Sequence, residues 1–200
     1  MKKNIRLFLT FILLIISIEE YAQHKIGVNI SPLVTSEVFT FGSRDGAAVY
    51  DNDNAFSFGA SYTYCFNKKI EFQTGIEYSK NNIIIKPAFT GIEYDNPSRK
   101  ENFKLISFPM MVNLNFGKYI FLNGGLLFDF EISKSNSIDR QTGLGTMFGL
   151  GVKYDFDSGI SLYMNPNLKL HTLIPFSSGS YYDRVFEAGI KVGITYSLSE

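Results

Sequence analysis

Residues 106–130 read ISFPMMVNLNFGKYIFLNGGLLFDF, and their alternation decides the fold. Ile106, Phe108, Met110, Val112, Leu114 and Phe116 lie on one face, opposite Ser107, Pro109, Met111, Asn113 and Asn115. After Gly117-Lys118 the pattern resumes, with Ile120, Leu122, Gly124, Leu126, Phe128 and Phe130 against Phe121, Asn123, Gly125, Leu127 and Asp129. A period of two is the signature of a β-strand, because successive side chains point to opposite faces. Two such runs around a glycine turn predict an antiparallel hairpin.

The same pattern extends in both directions. Upstream it covers Ile26–Ile30, Phe56–Phe66 and Ile70–Tyr78; downstream it covers Leu144–Tyr154, Ile160–Leu170 and Phe186–Leu198. Eight strands of about 9–11 residues or slightly more result, the length of a tilted membrane-crossing strand. Tight turns are expected at Asn67-Lys68-Lys69, Gly117-Lys118 and Asp157-Ser158-Gly159. Between them lie long connections: Pro32 to about Asn54, Lys80 to about Asn102, Ser133 to Thr142, and Leu173 to Arg184. Short and long links alternate as the periplasmic turns and extracellular loops of an outer-membrane barrel do. The expectation is an all-β, eight-stranded antiparallel up-and-down transmembrane β-barrel, with N- and C-termini periplasmic.

Alternation alone does not orient the wall, since a soluble lipocalin-like carrier of a lipophilic ligand also has about eight antiparallel strands. The polar face separates the two. Ser57, Gly59, Ser61, Thr63 and Cys65, or Gly189, Gly193, Thr195 and Ser197, are too small and uncharged for a solvated exterior. They suit a crowded lumen. The apolar face carries no charge over its central stretches, as contact with lipid demands. Tyr64, Phe66, Phe72, Phe116, Tyr154, Phe156 and Tyr196 gather beside the short turns, where a periplasmic aromatic girdle belongs.

The first residues read as a cleaved signal peptide, residues 1–22, leaving 23–200 as the barrel domain. Lys2, Lys3 and Arg6 precede the apolar run Leu7–Ile18, and Tyr21-Ala22-Gln23 supplies a cleavage site, although Glu20 occupies a position usually held by a small residue. The run is too short to span a bilayer as a helix. Its removal takes away three basic and two acidic residues, leaving 16 against 17. A chain this close to neutrality carries no electrostatic footprint for nucleic acid. Charged residues make up 19% of the whole, below the roughly 25% of soluble domains. The single cysteine, Cys65, excludes an intramolecular disulfide and reads as a small interior residue.

The stretch Ile106-Ser107-Phe108-Pro109-Met110-Met111-Val112, with Gly124-Gly125, Gly149-Leu150-Gly151 and Gly189-Ile190-Lys191-Val192-Gly193, resembles the outer-membrane β-barrel family that includes the PorT-type proteins. Ser107 stands where that family's strand has an acidic residue. The resemblance implies the bacterial outer membrane of a Gram-negative cell and a link to secretion for some members. Lys191-x-Gly193-x-x-Tyr196-x-Leu198 is similar to the final-strand signal read by barrel-assembly machinery, though Ser199 and Glu200 follow it.

Chemistry is sparse. His24 and His171 are the only histidines, and no spacing of His, Cys or carboxylates offers a metal site. His171 has no nearby serine in a deacylase arrangement, so it reads as a polar lumen or rim residue. Gly143/Gly145 and Gly149/Gly151 lie on a strand and give room to bulky neighbours rather than a phosphate-binding turn. No catalytic, cofactor-binding or metal residues are therefore assigned, and no cofactor is expected.

The expected role is a non-enzymatic barrel with a plugged polar lumen that anchors or docks a protein partner through its extracellular loops. Those loops carry Val34, Val38, Phe39, Phe41 and Ile83-Ile84-Ile85. The alternative readings are an outer-membrane lipid-modifying enzyme and a soluble lipocalin-like carrier. Glu71, Glu77, Asp129, Glu187, Lys153, Lys169 and Lys191 are placed inside the barrel. Of these, Glu77, Asp129, Lys169, Glu187 and Lys191 fall at similar heights, to pair with one another and with Asn113, Asn165 and Asn167. Pro109 is expected to cause a bulge or a missed hydrogen bond, and Pro166 the same less sharply.

Overall fold

The computed structural model describes residues 23–40, 49–86, 99–133, 140–176 and 183–198. Residues 1–22, expected to be a signal peptide, lie outside these residues. The chain forms β1 (Gln23–Thr40), β2 (Val49–Cys65), β3 (Ile70–Lys86), β4 (Arg99–Phe116), β5 (Ile120–Glu131), β6 (Gly143–Asp155), β7 (Ile160–Pro175) and β8 (Asp183–Ser197). Each strand pairs antiparallel with its neighbours in sequence, and β8 closes on β1 as an eight-stranded barrel. Closure leaves no edge strand, so the ladder hydrogen bonds of a membrane-embedded wall are met within the wall.

The alternation sorts the wall as expected. Ile26, Val28, Ile30, Phe58, Met110, Val112, Leu122, Leu126, Leu150, Val152, Leu162, Met164 and Ile194 point outward and are exposed. Asn29, Ser57, Glu77, Asn113, Asn123, Asp129, Asn165, Lys169, Glu187 and Lys191 point inward and are buried. This is the inverse of a soluble barrel. Even Thr146, a polar residue on the outer face, donates its hydroxyl to the Gly125 carbonyl at 2.9 Å.

At the short-turn end, Tyr64 and Phe66 meet edge to face at 4.8 Å, Tyr154 and Phe156 likewise at 4.8 Å, and Tyr119 stacks on Tyr154 at 6.1 Å. A second aromatic group, not singled out by the sequence reading, lies toward the other end: Phe56 and Phe58 against Tyr78, and Phe108, Phe130 and Phe176 in a row. Two girdles thus bracket the apolar band.

The long connections are shorter than expected because the strands run on. Most of Pro32–Asn54 belongs to β1 and β2, and about half of Lys80–Asn102 to β3 and β4. The chain continues past Pro32 through a bulge in β1, where the register against both β2 and β8 shifts between Ser31 and Val34 or Ile30 and Leu33. A bulge adds one residue and exchanges the faces. Before it Asn29 and Ser31 are buried; after it Thr35 and Glu37 are exposed and Ser36 is buried.

Pro109 causes a gap without a bulge. Pairing with β5 is continuous through Pro109–Leu127, whereas pairing with β3 skips from Thr74–Met110 to Glu77–Ser107 at constant register. The missing proline donor thus affects one ladder only. Pro166 behaves alike: pairing with β8 is continuous, while pairing with β6 skips from Gly149–Asn167 to Val152–Met164.

Candidate functional site: the buried ion network

The described interior carries its chemistry in two ionic layers. The lower one is near the short turns, where Glu71 of β3 meets Lys153 of β6 at 3.0 Å and Lys25 of β1 at 3.5 Å. The upper one is larger. Lys169 of β7 bonds Glu77 of β3 and stands 3.6 Å from Glu187 of β8. Lys191 of β8 meets the other Glu77 oxygen at 2.7 Å. The five residues expected at one height do converge there, through Glu77, Lys169, Glu187 and Lys191 directly and Asp129 by way of His171.

His171 joins the halves of this layer. Its Nδ1 is 2.9 Å from Asp129 Oδ2 on β5, and its Nε2 is 3.3 Å from Glu187 Oε2 on β8, an ion-pair distance outside hydrogen-bond alignment. The ring is completely buried. Parity carries it inward after Asn165, Asn167 and Lys169, and a local irregularity follows: register against β6 shifts between Leu144 and Thr146, and Thr172 adopts a left-handed φ of 49°. Both His171 and Thr172 consequently face inward, although neighbours on a regular strand cannot. Gly145 opposite leaves the space, since a Cβ there would stand 2.9 Å from Asp129 Oδ2 and 3.2 Å from His171 Cα.

Neutral groups complete the network, but they differ from those expected. Ser107 donates to Asp129 Oδ1 at 2.5 Å, Asn81 donates to Glu187 Oε1 at 2.6 Å, and Ser36 donates to Asn81 at 2.9 Å. Asn167 instead donates to the Asn165 carbonyl at 2.9 Å. The side-chain oxygens of Asn29, Asn113, Asn123 and Asn165 are buried without a protein partner around a void of about 60 Å³ between the two ionic layers. A void of that size has room for a few waters, the ordinary partners of such amides.

The opposite side of the lumen is apolar: Met111, Leu127 and Met147 from β4, β5 and β6 form one buried cluster. Cys65 is buried and free, as its isolation in the sequence implied. His24 lies apart, 2.6 Å from the Tyr62 hydroxyl. Among the described residues no group of three or more His, Cys, Asp or Glu is arranged to hold a metal ion. What the arrangement does is fill and cross-link. Ion pairs tie β3, β5, β7 and β8 across the lumen, and each charge would be costly there alone.

The family model described as an outer membrane protein beta-barrel domain matches residues 8–197. No curated protein matches the chain. Among solved structures, the outer membrane protein OprG of Pseudomonas aeruginosa aligns over 90% of this chain and 96% of its own, with 12% identity and a TM-score of 0.52. The outer membrane protein AlkL, solved in lipid bilayers, aligns over 90% and 92%, with 12% identity and a TM-score of 0.55. At such identities the likeness is one of fold.

Proposed function

The chain belongs to the outer membrane protein beta-barrel domain family and resides in the bacterial outer membrane, and we propose that it serves there as a non-enzymatic anchor or docking protein with a plugged lumen. The observation that carries this reading is the filled interior. Nine ionisable side chains from six strands pair across a lumen whose central void is about 60 Å³. Eight strands enclose just enough space for side chains to fill.

With the interior committed to packing, contact with other molecules falls to the outer wall and the ends. Lipid covers the apolar wall. A protein partner is assigned to the connections on the side opposite the short turns, where β1–β4 are 17 or 18 residues long against 12 and 13 for β5 and β6. This placement makes those connections extracellular and both termini periplasmic, after removal of residues 1–22 and insertion by the barrel-assembly machinery. A link to secretion, as in PorT-type proteins, is the finer form of the same proposal.

The test is co-purification after mild detergent extraction, alongside secretion measured in a deletion strain. Recovery of a stoichiometric partner lost on exchanging residues 87–98 for a neutral linker is the expected result. No partner together with unchanged secretion overturns the docking role.

A further inference from the structure

We propose that the upper half of the lumen is a proton-operated gate, latched while His171 is an imidazolium between Asp129 and Glu187 and opened to small cations when that proton leaves. The inference rests on the plugged-lumen reading and adds a regulated activity to it. Two observations on geometry lead to it. Both ring nitrogens face carboxylates, and they face them on two strands, β5 and β8. A neutral imidazole has a single N–H; only the imidazolium offers a proton to both sides.

The second observation is the charge count. Glu77, Glu187 and Asp129 supply three negative charges, and Lys169 and Lys191 supply two positive ones. The imidazolium makes the layer neutral. Around the ring, β5 contributes Asp129, β8 contributes Glu187, and β7 contributes Lys169 through Glu187. From β3 come Glu77 beyond Lys169 and Asn81 on Glu187; from β4 comes Ser107 on Asp129; β6 presents Gly145, which has no side chain. The next buried charged groups above this layer are Glu131, engaged by Ser133 and the Gln141 amide, and Arg184.

Removing the His171 proton leaves the layer with one excess negative charge and turns a nitrogen lone pair toward a buried carboxylate. Repulsion then parts Asp129 or Glu187 from the ring, and water enters to solvate them. The excess charge favours cations in the opened path. Protonation reverses each step.

The experiment records purified full-length protein in planar bilayers bathed in potassium chloride, with pH stepped from about 5 to about 10, a window that brackets the ordinary histidine range. Silence at the acid end is expected. Open probability should then rise by about tenfold per pH unit over the range in which one proton is lost, with cations preferred. His171→Gln should conduct throughout with no pH dependence, its folding checked by heat-modified mobility on gels. Because His24 is the only other histidine, His24→Gln carrying ¹⁵N-histidine reports His171 alone by NMR: two protonated ring nitrogens when silent, one when conducting. Persistence of the pH dependence in His171→Gln overturns the gate, as does a single protonated nitrogen at every pH. Silence of both proteins at every pH also overturns the gate but leaves the plug standing, whereas steady wild-type conductance at every pH overturns the plug itself.

Discussion

Lys169 stands between two carboxylates, Glu77 and Glu187, and is itself buried. Burying three charges costs several kcal/mol of lost hydration for each, and mutual attraction with hydrogen bonds is what offsets this. Lys169→Met keeps the volume and removes the offset, leaving Glu187 with Asn81 and His171, and Glu77 with Lys191 alone. The expected loss is about 3–5 kcal/mol, typical of breaking a buried pair from one side. A urea midpoint in detergent micelles measures it, and a loss below about 1 kcal/mol, the scale of an exposed ion pair, means the lumen is wet at Lys169. Gly125 makes a steric version of the same argument. A Cβ there would run into the Met110 carbonyl and stand 2.8 Å from Met111 Cα, both backbone atoms that cannot swing aside. Gly125→Ala should therefore destabilise by about 1–3 kcal/mol, the usual cost of overpacking, in the same assay.

Within elements, β4 and β7 show what a proline does in a closed wall. Each keeps its register and loses pairing on one side only, opposite Gly75-Ile76 for Pro109 and Leu150-Gly151 for Pro166. Pro109→Val restores an N–H toward β3 and should be neutral or stabilising by up to about 1 kcal/mol, the net worth of one hydrogen bond. Amide exchange decides it: residue 109 should be protected in the variant, and rapid exchange there would mean that β3 offers no acceptor. The strand interiors are legible in the sequence because a period of two survives wherever the backbone is regular, so spacing alone points Asn113, Asp129 and Lys191 inward, where they are buried. The bulges were not legible. Past Pro32 the faces of β1 exchange, and the pattern there looks like a loop when it is a strand of opposite parity. Parity reads His171 as a lumen or rim residue, but its carboxylate partners depend on the stagger between strands, which no single-strand pattern encodes. The same stagger selected Asn81 and Ser107 over Asn113, Asn165 and Asn167.

At the scale of the whole molecule, the apolar band between the two girdles sets where charge is tolerated. Leu126 is exposed on β5, about midway between Tyr119 of the lower girdle and Phe130 of the upper, and so faces the middle of the hydrocarbon. Leu126→Arg should cost about 2–4 kcal/mol in lipid vesicles, falling to about 0–1 kcal/mol for Tyr154→Arg at the interface. Equal costs at both sites would contradict the membrane depth assigned to the wall. Strand number and length make a further demand on topology. Three short turns, at 66–69, 117–119 and 156–159, lie at the same end as Gln23 and Leu198, because an even number of antiparallel strands returns the chain to its starting side. Strands of 17 or 18 residues rise about 60 Å along their own direction, more than a band about 25 Å tall requires even with tilt. The excess lies at the other end, beyond the second aromatic girdle. If that end is extracellular, an epitope inserted between residues 87 and 98 is stained by antibody on intact cells, and one inserted at Gly117-Lys118 is stained only after the outer membrane is permeabilised. The reverse pattern would turn the barrel over, placing the short turns outside and the long hairpins in the periplasm, and would remove the surface to which a docking partner is assigned.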